Sequence, residues 1–216
     1  MAKREGVNYP KFKDQFAVMD FEAEPLPVLS LFPMPPASYL EDWQLTFTDV
    51  NSQRRVVTGA QLLSLPRVHG RVPLVCQIFN WSEEPEVEGV RLVDVLDAIG
   101  VDAPDSGYFA FHSADGLYFE GLPRTMARDP RVLLVFGLAG RPLPREYGGP
   151  VRSLVPFLQG YKSVKWVHLV RAYRKDPVGI KRLLGQSRTA VLGSVGQELA
   201  GVVVGRMGDG DSTLEV

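Results

Sequence analysis

Frequent glycine and proline residues limit how long any helix or strand of this chain can be. The 216 residues include 21 glycines and 17 prolines, and both residue types interrupt regular elements. The apolar runs between them are short; most alternate as half-buried strands do, and a few have the spacing of brief helices. Strands mixed with brief helices, without a regular strand–helix–strand repeat, favour an α+β fold with mixed β-sheets.

Size and composition indicate one globular domain and exclude several classes of protein. With 45% hydrophobic and 23% charged residues, a chain of this length can bury a substantial core. A net charge of −1 creates no overall field for nucleic acid, so no nucleic-acid partner is expected. No apolar run reaches the roughly 18 residues of a membrane span, and residues 1–16 lack the apolar segment of a secretory signal. We therefore predict no membrane span and a cytoplasmic location.

Apolar periodicity predicts the individual elements. Residues 58–65 should form a short helix with Thr58 as N-cap and Gln61 as its capping-box partner, and residues 90–99 a helix that stops at Gly100. The acidic segment 83–89 is predicted to be a turn, and His168 is predicted to pack in the core. Strands are predicted for the alternating or apolar segments 42–50, 71–81, 108–113, 117–120, 131–137, 154–158 and 165–173.

The chain divides into three parts by composition. Residues 1–40 carry closely spaced prolines and are predicted to be an extended N-terminal arm that lies on the domain. Residues 41–176 hold most of the predicted elements and should be the domain proper. Residues 177–216 are predicted to be a C-terminal extension, packed on the domain or partly disordered, with a short helix at 179–186.

Residues 146–167 suit an anion-binding site. Gly148 and Gly149 would let the main chain approach a ligand, and Arg152 and Lys165 would supply charge for a phosphate. The same residues also suit plain structure, because Gly-Gly-Pro commonly forms a turn and a basic residue between apolar ones commonly lies at the solvated edge of a strand. The stretch alone leaves both interpretations open.

Cys76 is the one cysteine of the chain, so an intramolecular disulfide and a multi-cysteine metal site are both excluded. Within its apolar run it could be a buried, inert side chain. At a strand end near a basic residue, its thiolate would instead be a soft ligand for a transition metal. A cysteine hydrolase with His69 or His112 as the base is a weaker alternative, because no nucleophile motif surrounds Cys76.

Five sequence blocks occur in a fixed order along the chain. They are Cys76-x-x-x-Asn80-Trp81, Glu88-Gly89-Val90-Arg91-Leu92 with Val95-Leu96, Ser113-Ala114-Asp115-Gly116, Gly148-Gly149-Pro150-Val151-Arg152 and Ser163-Val164-Lys165-Trp166-Val167. In this order they resemble the molybdopterin-binding domain of the sulfite oxidase family, in particular the single-domain bacterial branch that includes methionine sulfoxide reductase catalytic subunits. The resemblance extends from about Trp43 to Tyr173, and the order of the blocks is more specific than any one of them.

The resemblance implies a molybdenum–molybdopterin cofactor, with the metal bound by the dithiolene of one pyranopterin and by Cys76. A soft thiolate suits a high-valent metal that already has two sulfur ligands. Arg152 and Lys165 would hold the cofactor phosphate, and Tyr161 joins Cys76 as a candidate catalytic residue because its hydroxyl could donate to an oxygen on the metal. Asp115 equally suits a plain hairpin turn. The other implied cofactor-binding residues are Asn80, Asp115, Gly149, Ser163 and Val164.

The implied activity is oxygen-atom transfer to or from a small sulfite- or sulfoxide-like substrate. The chain has no haem motif, so a separate electron-transfer protein would exchange the electrons. Two departures from the family pattern bear on the substrate: Tyr147 stands where the family usually has a histidine, and residues 77–80 replace a run that often contains glycine. The alternative is therefore a non-catalytic binding module that keeps the fold with an empty or altered pocket.

Overall fold

The computed structural model describes residues 16–76, 78–79 and 81–192 of the chain. Its helices are α1 (Gly59–Leu63), α2 (Leu92–Ala98), α3 (Arg124–Ala127) and α4 (Ile180–Leu183), with 3₁₀ turns at Arg145–Tyr147 and Gly160–Lys162. Its strands are β1 (Val18–Asp20), β2 (Val28–Ser30), β3 (Gln44–Thr48), β4 (Arg54–Thr58), β5 (Arg67–Arg71), β6 (Leu74–Cys76), β7 (Trp81–Glu83), β8 (Glu86–Arg91), β9 (Tyr108–Ser113), β10 (Phe119–Pro123), β11 (Leu133–Leu138), β12 (Arg141–Pro142), β13 (Arg152–Leu154) and β14 (Val167–Tyr173). In the part of the chain that the structure describes, no helix is long and apolar enough to span a bilayer.

Two five-stranded sheets form the body of the molecule. The first has the order β10-β9-β14-β3-β4 and is mixed, since β14 runs parallel to β3 but antiparallel to β9. The second has the order β12-β11-β8-β5, with β13 also paired to β11. The pairs β1-β2 and β6-β7 are two-stranded ribbons. The predicted α+β fold with mixed β-sheets and short helices is confirmed.

Strand β11 has no polar residue because both of its faces are buried. All six of its residues are buried. Because successive side chains of a strand point to opposite faces, Leu134 and Phe136 pack in the core shared with the first sheet, while Leu133 and Val135 pack in a second core. Side chains from the N-terminal hairpin β1-β2 and the loop inside it complete the second core. Each large apolar side chain contributes about 1.5–3 kcal/mol through its burial.

Several predicted elements are confirmed. Helix α1 has the predicted capping box: Gln61 N–H donates to Thr58 Oγ1 at 3.2 Å, and Thr58 N–H donates to Gln61 Oε1 at 2.9 Å. Helix α2 ends at Ala98, and Gly100 follows with a φ of 65°. The predicted strands at 42–50, 108–113, 131–137 and 165–173 correspond to β3, β9, β11 and β14; β9 has the predicted bounds, β3 and β14 are shorter, and β11 begins two residues later and ends one residue later.

The prediction of an acidic turn at 83–89 is wrong, because β8 covers most of that segment. The strand pairs with β5 on one side and β11 on the other. Its acidic residues alternate with buried ones: Glu86 is exposed, Val87 is buried and Glu88 is half-buried. The alternation was therefore a strand signal that the high acidic content obscured.

Three other predictions need correction. The apolar run at 71–81 is not continuous, because the chain leaves β6 after Cys76 and returns in β7 at Trp81. The strand predicted at 154–158 ends at Leu154, the last residue of β13. His168 is exposed rather than packed, at the point where the pairing of β14 with β9 shifts register.

The N-terminal arm is also more regular than predicted. Of its described residues, 18–20 and 28–30 pair as an antiparallel hairpin that packs on the second sheet, and the segment is extended mainly after that hairpin. The domain boundaries predicted at residues 40 and 176 stay a prediction, and residues 193–216 of the predicted extension lie outside the described residues.

Candidate active site

One cleft brings together residues that are far apart in the sequence. Its walls come from the N-terminal hairpin, the end of β6, the turn between β9 and β10, β13, the second 3₁₀ turn with the loop that follows it, and α4. Its empty volume is about 880 Å³, including the solvent at its mouth. Six predicted site residues line it: Cys76, Asp115, Arg152, Tyr161, Ser163 and Lys165.

Cys76 lies at the end of β6, where strand pairing determines its direction. It pairs with Trp81 of β7, and its neighbour Val75 forms a bridge with Gln159, which places the thiol beside the second 3₁₀ turn. The thiol is free and half-buried. Burial raises its pKa, and the backbone of the turn that follows opposes that effect. The thiol is therefore protonated near neutral pH, and a bound metal ion would favour the thiolate.

Arg152 projects from β13 into the cleft as a buried cation. Its guanidinium is only 6% exposed and donates to the carbonyls of Tyr147 at 3.0 Å and Ser163 at 3.2 Å. Among the described residues it has no carboxylate partner. Its charge is therefore solvated by peptide dipoles but not neutralised.

Lys165 lies beside Arg152 and is held in the same way. Its ammonium donates to the carbonyls of Leu29 at 3.0 Å and Glu146 at 2.7 Å, and within the described residues it too lacks a carboxylate partner. The Leu29 carbonyl belongs to the strand after the first hairpin turn, so the N-terminal segment helps to orient this lysine.

Arg152, which is buried, and Lys165, which is half-buried, make the floor of the cleft electropositive. Burial lowers the pKa of Arg152 to about 10. Burial, together with repulsion from Arg152, lowers the pKa of Lys165 to about 7. An anion placed in the cleft would favour the charged form of both groups and remove much of this electrostatic penalty.

Gly148 permits the close approach that positions Lys165. Its φ of 105° lies in the left-handed region, and a Cβ at this position would lie 2.8 Å from the Cβ of Lys165. Its carbonyl accepts the N–H of Trp166 at 3.0 Å. A larger residue here would strain the backbone and displace the lysine.

Other predicted cofactor-binding residues take different positions. Ser163 lines the cleft, and its hydroxyl oxygen accepts the N–H of Val155 at 3.0 Å, which leaves its own proton to donate. Val164 is fully buried, and its N–H and carbonyl both bond to Ser153. Gly149 borders a second pocket instead of this cleft. Protein atoms of Lys165 and Leu143 lie where a Cβ of Gly148 or Gly149 would be, so the absence of a side chain at these positions serves the packing within the chain.

Asp115 and Tyr161 line the cleft but form hydrogen bonds within the chain. The Asp115 carboxylate accepts the N–H groups of Leu117 at 2.9 Å and Tyr118 at 2.8 Å, as the hairpin-turn interpretation requires. The Tyr161 hydroxyl donates to the carbonyl of Ser187. Burial raises its pKa to about 12, so the phenol is protonated.

Neither candidate histidine lies beside the thiol. His69 is exposed on β5, with its Nε2 3.5 Å from the carboxylate of Glu88. His112 stacks on Phe119 with 5.1 Å between ring centroids, and burial lowers its pKa to about 4. Among the described residues that line the cleft there is no histidine, which argues against the cysteine hydrolase. Asn80, another predicted site residue, lies outside the described residues.

Three features of the cleft were not predicted as parts of the site. Lys181 of α4 lines it, although only a short helix was predicted for its segment. The Nε1 of Trp81 is buried in its wall without a hydrogen-bond partner among the described residues. The N-terminal hairpin supplies apolar lining. Trp81 belongs to the first of the ordered blocks and could have been included on that ground, whereas the other two features depend on contacts between distant segments.

Tyr147, where the chain departs from the family pattern, joins the N-terminal segment to the site. Its ring is only 5% exposed and packs in the second core. Its hydroxyl donates to the carbonyl of Glu24 at 2.6 Å, while its own carbonyl accepts from Arg152. The side chain therefore packs and anchors the N-terminal segment, and its hydroxyl is engaged within the chain.

Comparison with known proteins gives one family for most of the chain. The family described as oxidoreductase molybdopterin binding domain matches residues 32–180. The uncharacterized oxidoreductase YuiH of Bacillus subtilis is 26% identical over 154 residues, which are 71% of this chain and 76% of that protein. The protein-methionine-sulfoxide reductase catalytic subunit MsrP of Ralstonia nicotianae is 37% identical over 91 residues, which are 42% of this chain and 25% of that protein.

A solved structure shows the same fold. The sulfane dehydrogenase SoxCD from Paracoccus pantotrophus superposes with a TM-score of 0.59 and 25% sequence identity, over 67% of this chain and 41% of the SoxCD chain. The chain thus spans three quarters of YuiH but a quarter of MsrP and under half of the SoxCD chain. The predicted sulfite-oxidase-type molybdopterin-binding fold is confirmed.

Proposed function

The chain belongs to the family of oxidoreductase molybdopterin binding domains, and from this premise we propose that it catalyses oxygen-atom transfer to or from a small sulfite- or sulfoxide-like substrate. Membership of this family makes it a molybdenum–molybdopterin-dependent oxidoreductase. The reaction, the substrate class and the roles of individual residues are parts of the proposal.

The observation that carries the proposal is the placement of a buried cation, a half-buried cation and one free thiol in a single cleft. Among the described residues, Arg152 and Lys165 donate to carbonyl groups and have no carboxylate partner, and Cys76 lines the same space. Buried, unneutralised cations are unfavourable unless an anion joins them. A thiol in that setting supplies a ligand for a soft metal.

The residues present fit the family's cofactor. Its phosphate is an anion of the kind that Arg152 can bind through two N–H groups and that Lys165 can bind as a point charge. Its dithiolene supplies two sulfur ligands, so one further thiolate from Cys76 suffices. The unpartnered Nε1 of Trp81 could donate a hydrogen bond to a polar atom of the pterin.

When bound, the cofactor supplies the metal centre for a two-electron oxygen-atom transfer. The chain's own residues bind, orient and shield it. Cys76 is the proposed protein ligand of the metal, and the hydroxyl of Ser163 is a proposed donor to the cofactor. Tyr161 is the proposed proton donor near the substrate, and its hydroxyl would have to exchange the Ser187 carbonyl for that role. Asn80, Asp115, Gly149 and Val164 stay predicted cofactor contacts, but Gly149 borders the second pocket and the backbone of Val164 is bonded to Ser153, so these two would need a rearrangement to reach the cofactor.

We also propose that a separate electron-transfer protein exchanges electrons with the centre. No cofactor other than the molybdopterin is implied by the family match, and the proposed reaction moves two electrons for each oxygen atom. The cytoplasmic location expected from the sequence stays a prediction.

The test is metal and pterin analysis of protein purified from cells that make molybdopterin. Wild-type protein should contain molybdenum and pterin in near-stoichiometric amounts and absorb in the visible range through sulfur-to-metal charge transfer. Cys76→Ala should keep the pterin but lose activity and alter that absorption. Lys165→Met should lose most of the pterin, because it removes one of the two buried charges that hold the phosphate.

Lys175→Met is the matched control, since Lys175 is exposed and lies outside the cleft. It should retain molybdenum, pterin and absorption. Wild-type protein without molybdenum, from cells in which another molybdoenzyme is fully loaded, would contradict the proposal and would support the alternative of a non-catalytic binding module.

A further inference from the structure

Lys181 is a cation of the cleft that the proposed cofactor contacts do not use. It is the second residue of α4, it is half-buried while the three residues after it are exposed, and it lines the cleft together with Cys76. The charges of the two groups are close enough to interact, since each affects the pKa of the other. Lys181 therefore lies on the thiol side of the cleft.

A buried ion pair holds the backbone of Lys181 in place. The N–H of Lys181 donates to Glu120 Oε1 at 2.8 Å, and Glu120 Oε2 accepts from the ammonium of Lys162 at 2.8 Å. The Glu120 carboxylate also lies directly against the backbone of Gly179, where no Cβ could fit. Helix α4 thus begins at a rigid anchor, although its outer side faces solvent.

The same ion pair leaves the Lys181 charge without a counter-charge. Glu120 and Lys162 are 1% and 7% exposed and neutralise each other. In the described residues the Lys181 ammonium has neither a carboxylate partner nor a hydrogen-bond acceptor; it lies 4.9 Å from the ring centroid of Phe16. A ring face stabilises a cation but does not cancel its charge. An anion beside Lys181 would do so.

Aromatic contacts connect this cation to the segment that follows Cys76. The Lys181 ammonium lies over the ring of Phe16. That ring packs edge-on against Phe79 with 5.5 Å between ring centroids. Phe79 is three residues after Cys76 and is packed on its other side by Phe21. The ammonium, the aromatic residues and the thiol therefore lie together in the wall of the cleft.

We propose that Lys181 selects a substrate with a negative charge, an oxyanion that its ammonium binds on the Cys76 side of the cleft. This inference rests on the proposed function and narrows its substrate to the anionic class, against neutral sulfoxides. Lys181 is a specificity-determining residue, because it lines the cleft and its ammonium is a charged donor that has no acceptor among the described residues.

The experiment measures binding of sulfate, an unreactive oxyanion, to molybdenum-loaded protein by isothermal titration calorimetry. Wild-type protein should bind sulfate, and Lys181→Met should bind it at least about tenfold more weakly, the loss expected when one charged hydrogen bond is removed. Lys181→Arg should retain binding because it keeps the charge. Lys175→Met, a substitution of the same kind outside the cleft, should bind as wild type does. Dimethyl sulfoxide, a neutral probe, should not distinguish the four proteins.

Lys181 could bind the substrate or could hold the cofactor. Molybdenum and pterin content, measured on the same samples, distinguishes these two roles. The proposal requires that Lys181→Met keeps both while it loses sulfate. If Lys181→Met loses the cofactor as well, Lys181 holds the cofactor and the proposal is wrong. It is equally wrong if sulfate binds Lys181→Met as tightly as wild type, or does not bind wild type. Absence of molybdenum from wild-type protein would instead overturn the proposed function, and the sulfate titrations would still report on Lys181.

Discussion

The buried ammonium of Lys165 should make the stability of the cofactor-free protein depend on pH in an unusual direction. The pKa of Lys165 is about 7 in the folded protein, because burial and then Arg152 lower it from 10.5. Between these two values the unfolded chain binds more protons than the folded one. Stability therefore rises as the pH increases through that window, and the penalty is fully present below about pH 7.

The size of the effect follows from the two pKa values. Between pH 7 and about pH 9, the group moves from half-protonated to neutral in the folded state, while it stays almost fully protonated in the unfolded state. A group that is protonated in the unfolded state and neutral in the folded state changes the free energy of unfolding by about 1.36 kcal/mol for each pH unit. Because Lys165 is still half-protonated in the folded state at pH 7, the rise over these two pH units is smaller than the full value, and we expect about 2 kcal/mol.

Urea unfolding of cofactor-free protein at the two pH values measures this change. Other groups also titrate in this range, so the comparison is with Lys165→Met, which should lack the rise of about 2 kcal/mol. The exposed Lys175→Met should behave as wild type. In loaded protein the cofactor phosphate should restore the pKa of Lys165 towards its ordinary value, and the difference between wild type and variant should shrink.

The reasoning fails if wild type and Lys165→Met change in parallel between the two pH values. That result would mean that the ammonium is solvated in the folded state and that its pKa is ordinary. It would also remove the electrostatic argument that the cleft requires an anion, because that argument depends on a charge that is buried beside Arg152.

Two further predictions concern the supports of the site. Lys162→Met should destabilise the protein by about 3–5 kcal/mol in urea unfolding, because it leaves the charge of Glu120 buried and unpaired. The double variant Lys162→Met with Glu120→Gln should recover a large part of this loss. If it recovers nothing, the ion-pair explanation is contradicted. Gly148→Ala should cost about 1–3 kcal/mol through its φ of 105° and should also lower pterin content by displacing Lys165. Gly140→Ala, with a φ of 70° but open space around it, is the matched control that should keep its pterin.

Elements with local causes could be predicted from the sequence. The capping box of Thr58 with Gln61 and the stop of α2 before Gly100 depend on residues within one helical turn, so the pattern contains the whole interaction. The acidic strand β8 was missed although its sequence alternates, because its acidic residues resemble those of a solvated turn and its pairing with β5 and β11 cannot be read from the segment itself. The hairpin in the N-terminal arm was missed for the same reason, since its stability comes from a core built by other segments.

The sequence by itself determined which residue types can do chemistry here and in what order they occur, and that was enough to identify the family. Only the tertiary structure decided that Arg152 and Lys165 lie side by side, away from water, with no carboxylate partner among the described residues, and that Lys181 reaches the cleft beside Cys76. Burial and charge pairing depend on segments that are distant along the chain. Together they decide whether the charge of a lysine is solvated by water or requires an anion. The order of residues alone does not contain that distinction.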